Sequence, residues 1–176
     1  DEVKQDAEAI FLLGDLFDFW FEYKKVVPKG FVRVLGKLAE IRDSGIPIYF
    51  FVGNHDLWMT DYFQKELNIP VYHDNQEYTF GNKTFLIGHG DGKGPGDKGY
   101  KRMKKVFTNP FSKWLFRWLH PDIGVKLGHY LSVKNKLISG EADVKFLGED
   151  NEWLVQYAKR KLETKHYNYF IFGHRH

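Results

Sequence analysis

Cysteine is absent from the 176 residues, so neither a disulfide framework nor a thiolate metal site can exist, an absence compatible with a reducing compartment. Methionine and proline are scarce, at 2 and 6 residues, and no low-complexity linker or internal repeat interrupts the chain. No apolar run approaches the roughly 20 residues that a transmembrane helix needs. Charge of one sign is also lacking: the net value is only +3, so overall charge gives no argument for nucleic acid. The chain opens on Asp1 with no signal-peptide pattern and no initiator Met, so targeting stays open. The apolar share of 43% is ordinary for a soluble domain, and the length is that of one domain with a substantial core. Aromatic residues, by contrast, are plentiful.

Apolar runs alternate with helical periodicity. AIFLLGD reads as a short buried strand entering a loop at Gly14-Asp15. Phe31, Val34, Leu35, Leu38 and Ile41 keep helical spacing, and DSG closes that helix near Gly45. A strand over 46–52, a short helix over 62–67 and a strand over 69–72 follow. EYTFGNKTFLIGHGD predicts a hairpin turning at Gly81-Asn82, and residues 90–99 form a glycine-rich loop. Two or three helices run from Lys101 to about Ser139, broken at Asn109-Pro110 and His120-Pro121. A further helix over 149–163 precedes a last strand in YNYFIFGHRH. Strands alternating with helices predict an α/β domain whose strand ends carry the site.

Four of those strands end alike, in LLGDLFD, FVGNHD, LIGHGD and IFGHRH. Each apolar run meets a glycine and then polar side chains, whose burial without partners costs about 2–7 kcal/mol apiece. The crevice beyond the carboxyl ends of an open α/β sheet is where ligands bind, and glycine lets the backbone turn and approach them closely. Asp15, Asn54, His89, His174 and His176 offer carboxylate, amide oxygen and imidazole without sulfur. That donor set fits Mn²⁺, Fe, Zn²⁺ or Mg²⁺. Two cations fit better than one, with Asp15 bridging: a pair about 3.5–4 Å apart can clamp a phosphoryl group and make hydroxide available at neutral pH. His55 is placed to bond a phosphate oxygen or protonate a leaving group, with Asp56 as its orienting partner. Asp18, Asp56 and Asp91 read as supporting or capping residues rather than ligands; His73, His120, His129 and His166 lie outside the pattern. Taken singly, each strand end could be an ordinary turn or helix cap. Four in this order are hard to obtain that way.

These motifs resemble the calcineurin-like metallophosphoesterases: Gly14-Asp15-Leu16-Phe17-Asp18, Gly53-Asn54-His55-Asp56, Gly88-His89 and Gly173-His174-Arg175-His176 match the family's G-D-x-x-D, G-N-H-D/E, G-H and G-H-x-H. The resemblance implies a four-layer α/β/β/α sandwich holding a dinuclear centre. Asp15 would bridge, Asn54, His89 and His174 would hold one metal, and His176 the other. The family's opening D-x-H has no counterpart, which implies a single domain over 1–176 that lacks its first strand and its C-terminal strands. Within the family, LLGDLFDFWF, GHGDGKGPGDKGYKRMKKVF and the helical insertion (lid) over about 100–147 are similar to the branch acting on a UDP-linked acylated sugar in lipid A biosynthesis. That likeness implies pyrophosphate hydrolysis with Mn²⁺ at the cytoplasmic face of the inner membrane. It also implies substrate contacts at Asn54, His55, Asp97, Ser139, Asp143, Lys145 and His174. A metallophosphoesterase of other specificity and a catalytically incomplete scaffold of the same fold are the competing readings.

The insertion has its own chemistry. Between Lys101 and Lys136 stand nine Lys/Arg and one acid, Asp122. Phe111, Trp114, Leu115 and Trp118 share a helical face, with Lys113 and Arg117 on the other. Such a helix fits a membrane surface or an acyl-chain pocket. The alternatives are a helix packing its aromatic side on the core and, less well, a nucleic acid.

Overall fold

The short apolar run after the N-terminal lead-in pairs in parallel with the one that follows the first helix. The computed structural model describes residues 6–94, 98–144, 146 and 148–174; for 134–144 it describes the backbone alone. The first sheet joins β1 (Ile10–Leu12), β2 (Ile48–Phe51) and β3 (Val71–Tyr72), all parallel, with Ile10 opposite Ile48 and Phe50 opposite Val71. The second joins β4 (Gln76–Phe80), β5 (Lys83–Gly88) and β6 (Tyr169–Phe172); β4 and β5 form the expected hairpin, and β6 lies parallel to β5. Gly81 takes a φ of 58° at the hairpin turn, a left-handed conformation that costs glycine little.

Strand alternation sorts the aromatic side chains. Phe11 of β1 and Tyr49 of β2 meet Tyr78 of β4, with ring centroids 4.8 and 5.5 Å apart, joining the two sheets through aromatic contacts. Residues of opposite parity in the first sheet, Ile48 and Phe50, enter a core with Phe63, Met59 and Ile69; Leu38 of α1 (Val32–Asp43) is buried in it, and Leu35 and Ile41 pack against it. On the second sheet, Tyr157 of α6 (Trp153–Leu162) meets the Phe172 ring.

The loop after β1 is core rather than surface. Phe17, Trp20 and Phe21 are at most 1% exposed, and Phe17 stacks on Trp20 at 4.4 Å. Such pairs contribute about 0.5–1.5 kcal/mol beyond area burial. Glu22 closes this loop. Its buried carboxylate accepts from the Trp20 indole N–H, from the backbone N–H of Thr60, Asp61 and Tyr62, and from the Thr60 hydroxyl. It thereby satisfies the start of α2 (Tyr62–Glu66), whose N-cap, Asp61, makes no side-chain cap bond.

The basic segment folds as α3 (Lys98–Thr108), α4 (Pro110–Arg117) and α5 (Pro121–Val144), with proline opening the second and third. Asn109 caps α4 through the Phe111 N–H. Asp91 anchors α3, accepting from the Tyr100 hydroxyl and the Lys104 ammonium, both at 2.6 Å. The orientation of α4 decides against one alternative: its aromatic stripe does not pack on the core. Phe111, Trp114, Leu115 and Trp118 are 65, 52, 49 and 75% exposed. Phe116, on the opposite side, enters the core against Trp58 and Phe21, at 4.5 and 4.6 Å. Lys113 turns partly inward, and burial pulls its ammonium below its ordinary pKa.

Candidate metal and substrate site

Four loops leave the carboxyl ends of β1, β2, β5 and β6 and meet at one place. The first carries Asp15 at φ 53° and the fourth His174 at φ 69°, both in left-handed backbone that non-glycine residues rarely adopt. Strain of this kind is held only where surrounding structure over-determines it, and it gathers at functional sites. Gly14, at φ 84°, is required on two counts: a Cβ there would lie 2.6 Å from both the Gly53 nitrogen and His89 Nδ1. A Cβ on Gly53 would collide with the Asp15 carboxylate. The glycines of the first two motifs are therefore packed against the candidate ligands.

Asp15, His89 and His174 each offer one ligand atom, all within 4.8 Å of one another. Asn54 Oδ1 stands among them, 3.1 Å from His89 Nε2 and 2.8 Å from His174 Nδ1. Asp15 Oδ2 lies 3.3 Å from His89 Nε2, while Oδ1 accepts from the His55 backbone N–H at 2.9 Å. His89 is buried, and its Nδ1 donates to the Leu13 carbonyl at 2.5 Å. That bond fixes the neutral ring with its lone pair on Nε2, aimed at two oxygen acceptors, Asn54 Oδ1 and Asp15 Oδ2. Such a meeting is repulsive unless a proton or a cation lies between them, which is how a metal-ligating imidazole is usually oriented. Burial works against the His89 imidazolium, but the Asp15 carboxylate outweighs it and raises the ring's pKa. Burial likewise acts to raise Asp15, and His89 with the His55 N–H overcomes it, holding Asp15 low. The oxygen and imidazole donors fit a hard or borderline divalent cation.

Asp56 takes the supporting role expected of it, but not as the partner of the His55 ring. Its carboxylate is wholly buried and accepts from the backbone N–H groups of Gly53 and Leu16, tying the first two loops together. Burial and the nearby Asp15 charge push it up to about 7. It is a loop brace, and the His55 ring has a different partner: His55 Nδ1 lies 2.6 Å from Ser132 Oγ on α5. Lys145 and His176 lie outside the described residues, as does Asp97; Ser139 and Asp143 fall on α5 where only backbone is described.

Beside Asn54 and His55 opens a cavity of about 270 Å³. Its walls are chiefly apolar, with Phe19, Trp58, Phe107, Phe116 and Leu131 among them. Composition alone did not point to this cavity, nor to Ser132 and Glu22. One sequence signal for Ser132 exists: Gly124, Gly128 and Ser132 recur every fourth residue, giving α5 a face without bulk. A Cβ on Gly128 would overlap the Phe19 ring, and one on Gly124 the Tyr23 hydroxyl.

With donors, braces and cavity in place, the class follows. All of residues 1–176 match the family model described as calcineurin-like phosphoesterase, and the chain belongs to that family of metal-dependent hydrolases. Among curated relatives, it is 40% identical to UDP-2,3-diacylglucosamine hydrolase of Porphyromonas gingivalis over 100% of this chain and 72% of that protein. It is 33% identical to the protein of that name from Edwardsiella ictaluri over 69% of this chain and 46% of the relative. A third, from Histophilus somni, is 25% identical over 97% of this chain and 70% of the relative.

Proposed function

We propose that the protein hydrolyses the pyrophosphate bond of UDP-2,3-diacylglucosamine, releasing UMP and 2,3-diacylglucosamine 1-phosphate. One observation carries the reading: oxygen and imidazole donors from four strand ends converge beside an apolar cavity lined by Asn54, one of those donors, and by the neighbouring His55. The polar half fits a phosphoryl group and the apolar half fits an acyl chain, whose burial contributes about 0.8 kcal/mol per methylene.

In this reading Asp15, Asn54, His89 and His174 would hold one divalent cation, and Asp15 with His176 would hold a second. Such cations, Mn²⁺ foremost, would supply positive charge to neutralise phosphoryl oxygens and ease deprotonation of water. His55 faces the phosphate. A phosphate-monoester leaving group has a pKa near 6 and needs no proton at neutral pH. The role left for His55 is therefore a hydrogen bond to a phosphate oxygen, strengthened as charge accumulates there. Asp97, Ser139, Asp143 and Lys145 complete the head-group contacts by family likeness. The fold is read as the family's four-layer sandwich, with α1 and α6 outside the two sheets and α3–α5 as the lid. Through its exposed aromatic stripe the lid rests on the cytoplasmic face of the inner membrane. Among the described residues no helix is long and apolar enough to cross a membrane.

The test is UMP release from UDP-2,3-diacylglucosamine by the full-length protein with Mn²⁺, beside a generic phosphodiester. Turnover of the first at neutral pH is expected. Activity on the generic diester alone would assign another specificity within the family.

A further inference from the structure

The helical insertion reaches the metal-side loops at one polar point. Ser132 on α5 stands between two groups: its hydroxyl donates to the Asp18 carbonyl, and its oxygen lies 2.6 Å from His55 Nδ1. A hydroxyl has a single proton. With that proton committed to Asp18, Ser132 can only accept from His55, so the proton of the ring sits on Nδ1 and Nε2 is the nitrogen turned to other uses. The approach is close because α5 has no bulk on this face. Gly128, one turn before Ser132, touches the Phe19 ring so tightly that a methyl group would overlap it. Ser132, His55 and Phe19 also line the same apolar cavity.

We propose that Ser132 is a positioning residue that fixes the tautomer and direction of His55, coupling the seating of α5 on the first loop to the imidazole that meets substrate. The inference rests on the role given to His55 above and adds a residue to it. The serine does not touch the reacting phosphate; it acts through the ring. Holding one tautomer matters because a ring free to exchange protons between its nitrogens presents the wrong atom for part of the time. Removing the hydroxyl leaves the cavity wall and the fold in place, since alanine is an excellent helix residue.

The experiment uses the full-length protein, UDP-2,3-diacylglucosamine and Mn²⁺. Ser132→Ala is expected to lower kcat about tenfold, with KM within about twofold and metal content unchanged. Ser132→Thr, which restores the hydroxyl, should recover most of the rate. The double variant His55→Ala/Ser132→Ala should be no slower than His55→Ala alone, since residues acting as one unit are not additive. Independently of turnover, ring ¹⁵N chemical shifts of the Mg²⁺-loaded protein should show His55 protonated on Nδ1, and a tautomer mixture in Ser132→Ala. Multiplying losses in the double variant, or an unaltered tautomer in Ser132→Ala while His55→Ala is still impaired, would overturn the Ser132 assignment alone. Unimpaired kcat in His55→Ala would instead overturn the role of His55, and the role of Ser132 with it.

Discussion

Individual side chains divide here into those that would hold charge at the site and those that hold the loops carrying it. Asp15 belongs to the first group: it approaches His89 directly and accepts the His55 backbone N–H. Asp15→Ala should abolish metal binding and activity together, whereas His55→Ala should keep stoichiometric metal and lose about 10²-fold in kcat, within the range for a positioned polar group. Elemental analysis beside steady-state kinetics separates the two, and equal metal loss in both would end the division of labour. Glu22 belongs to the second group. Every contact described for its carboxylate is with a donor, so Glu22→Gln would turn an amide N–H toward N–H groups. Losing charge-assisted bonds and stranding donors costs on the order of 3 kcal/mol. The urea midpoint should fall accordingly, at unchanged m-value. The candidate ligand motifs were legible in the sequence because each candidate follows its strand by one to three residues. Glu22 was not, because all of its described donors except the Trp20 indole lie about 40 positions away and no local pattern marks a buried acceptor.

Elements were legible where punctuation is local. Pro110 and Pro121 divide the helical insertion, and Gly81-Asn82 turns the hairpin, both at the positions where the chain breaks. The direction in which an amphipathic helix faces was not legible, since that depends on its tertiary neighbours. On α4 it is Phe116 that meets Trp58 and Phe21, and this rotates the wider aromatic stripe outward. Stacked Phe111 and Trp114, with Trp118 edge-on to Trp114, leave a contiguous apolar ridge on a basic insertion. Ridges of this kind mark interaction sites, and aromatic residues with basic neighbours fit an anionic bilayer. Trp114→Ala/Trp118→Ala should therefore reduce partitioning onto vesicles containing anionic lipid by on the order of tenfold per tryptophan, from the apolar area withdrawn. Turnover in detergent and the thermal midpoint should be unchanged, because these rings contribute little to the folded interior. Equal partitioning of variant and wild type, measured by vesicle sedimentation, would remove the ridge from membrane contact.

On the scale of the whole molecule, the candidate centre is a joint between the two sheets. Asp15 and Asn54 follow strands of the first, His89 and His174 strands of the second, and Asn54 Oδ1 meets both imidazoles. A cation there would bind only when the sheets are seated on one another, so its affinity becomes folding stability. Linkage sets the size: at 100 times the dissociation constant, a site formed only in the native state contributes about 2.7 kcal/mol. Stripping the protein with chelator and dialysing the chelator away should lower the thermal midpoint by several degrees, and titrating Mn²⁺ back should restore it along a saturable curve. The two left-handed residues sharpen the expectation. Backbone strain at Asp15 and His174 opposes folding in the stripped protein and is offset when ligand bonds form. Asp15→Ala should therefore have a midpoint insensitive to Mn²⁺, whereas His55→Ala should follow the wild-type curve. A thermal midpoint indifferent to metal in the wild type would mean that the sheets are held by their aromatic interface alone.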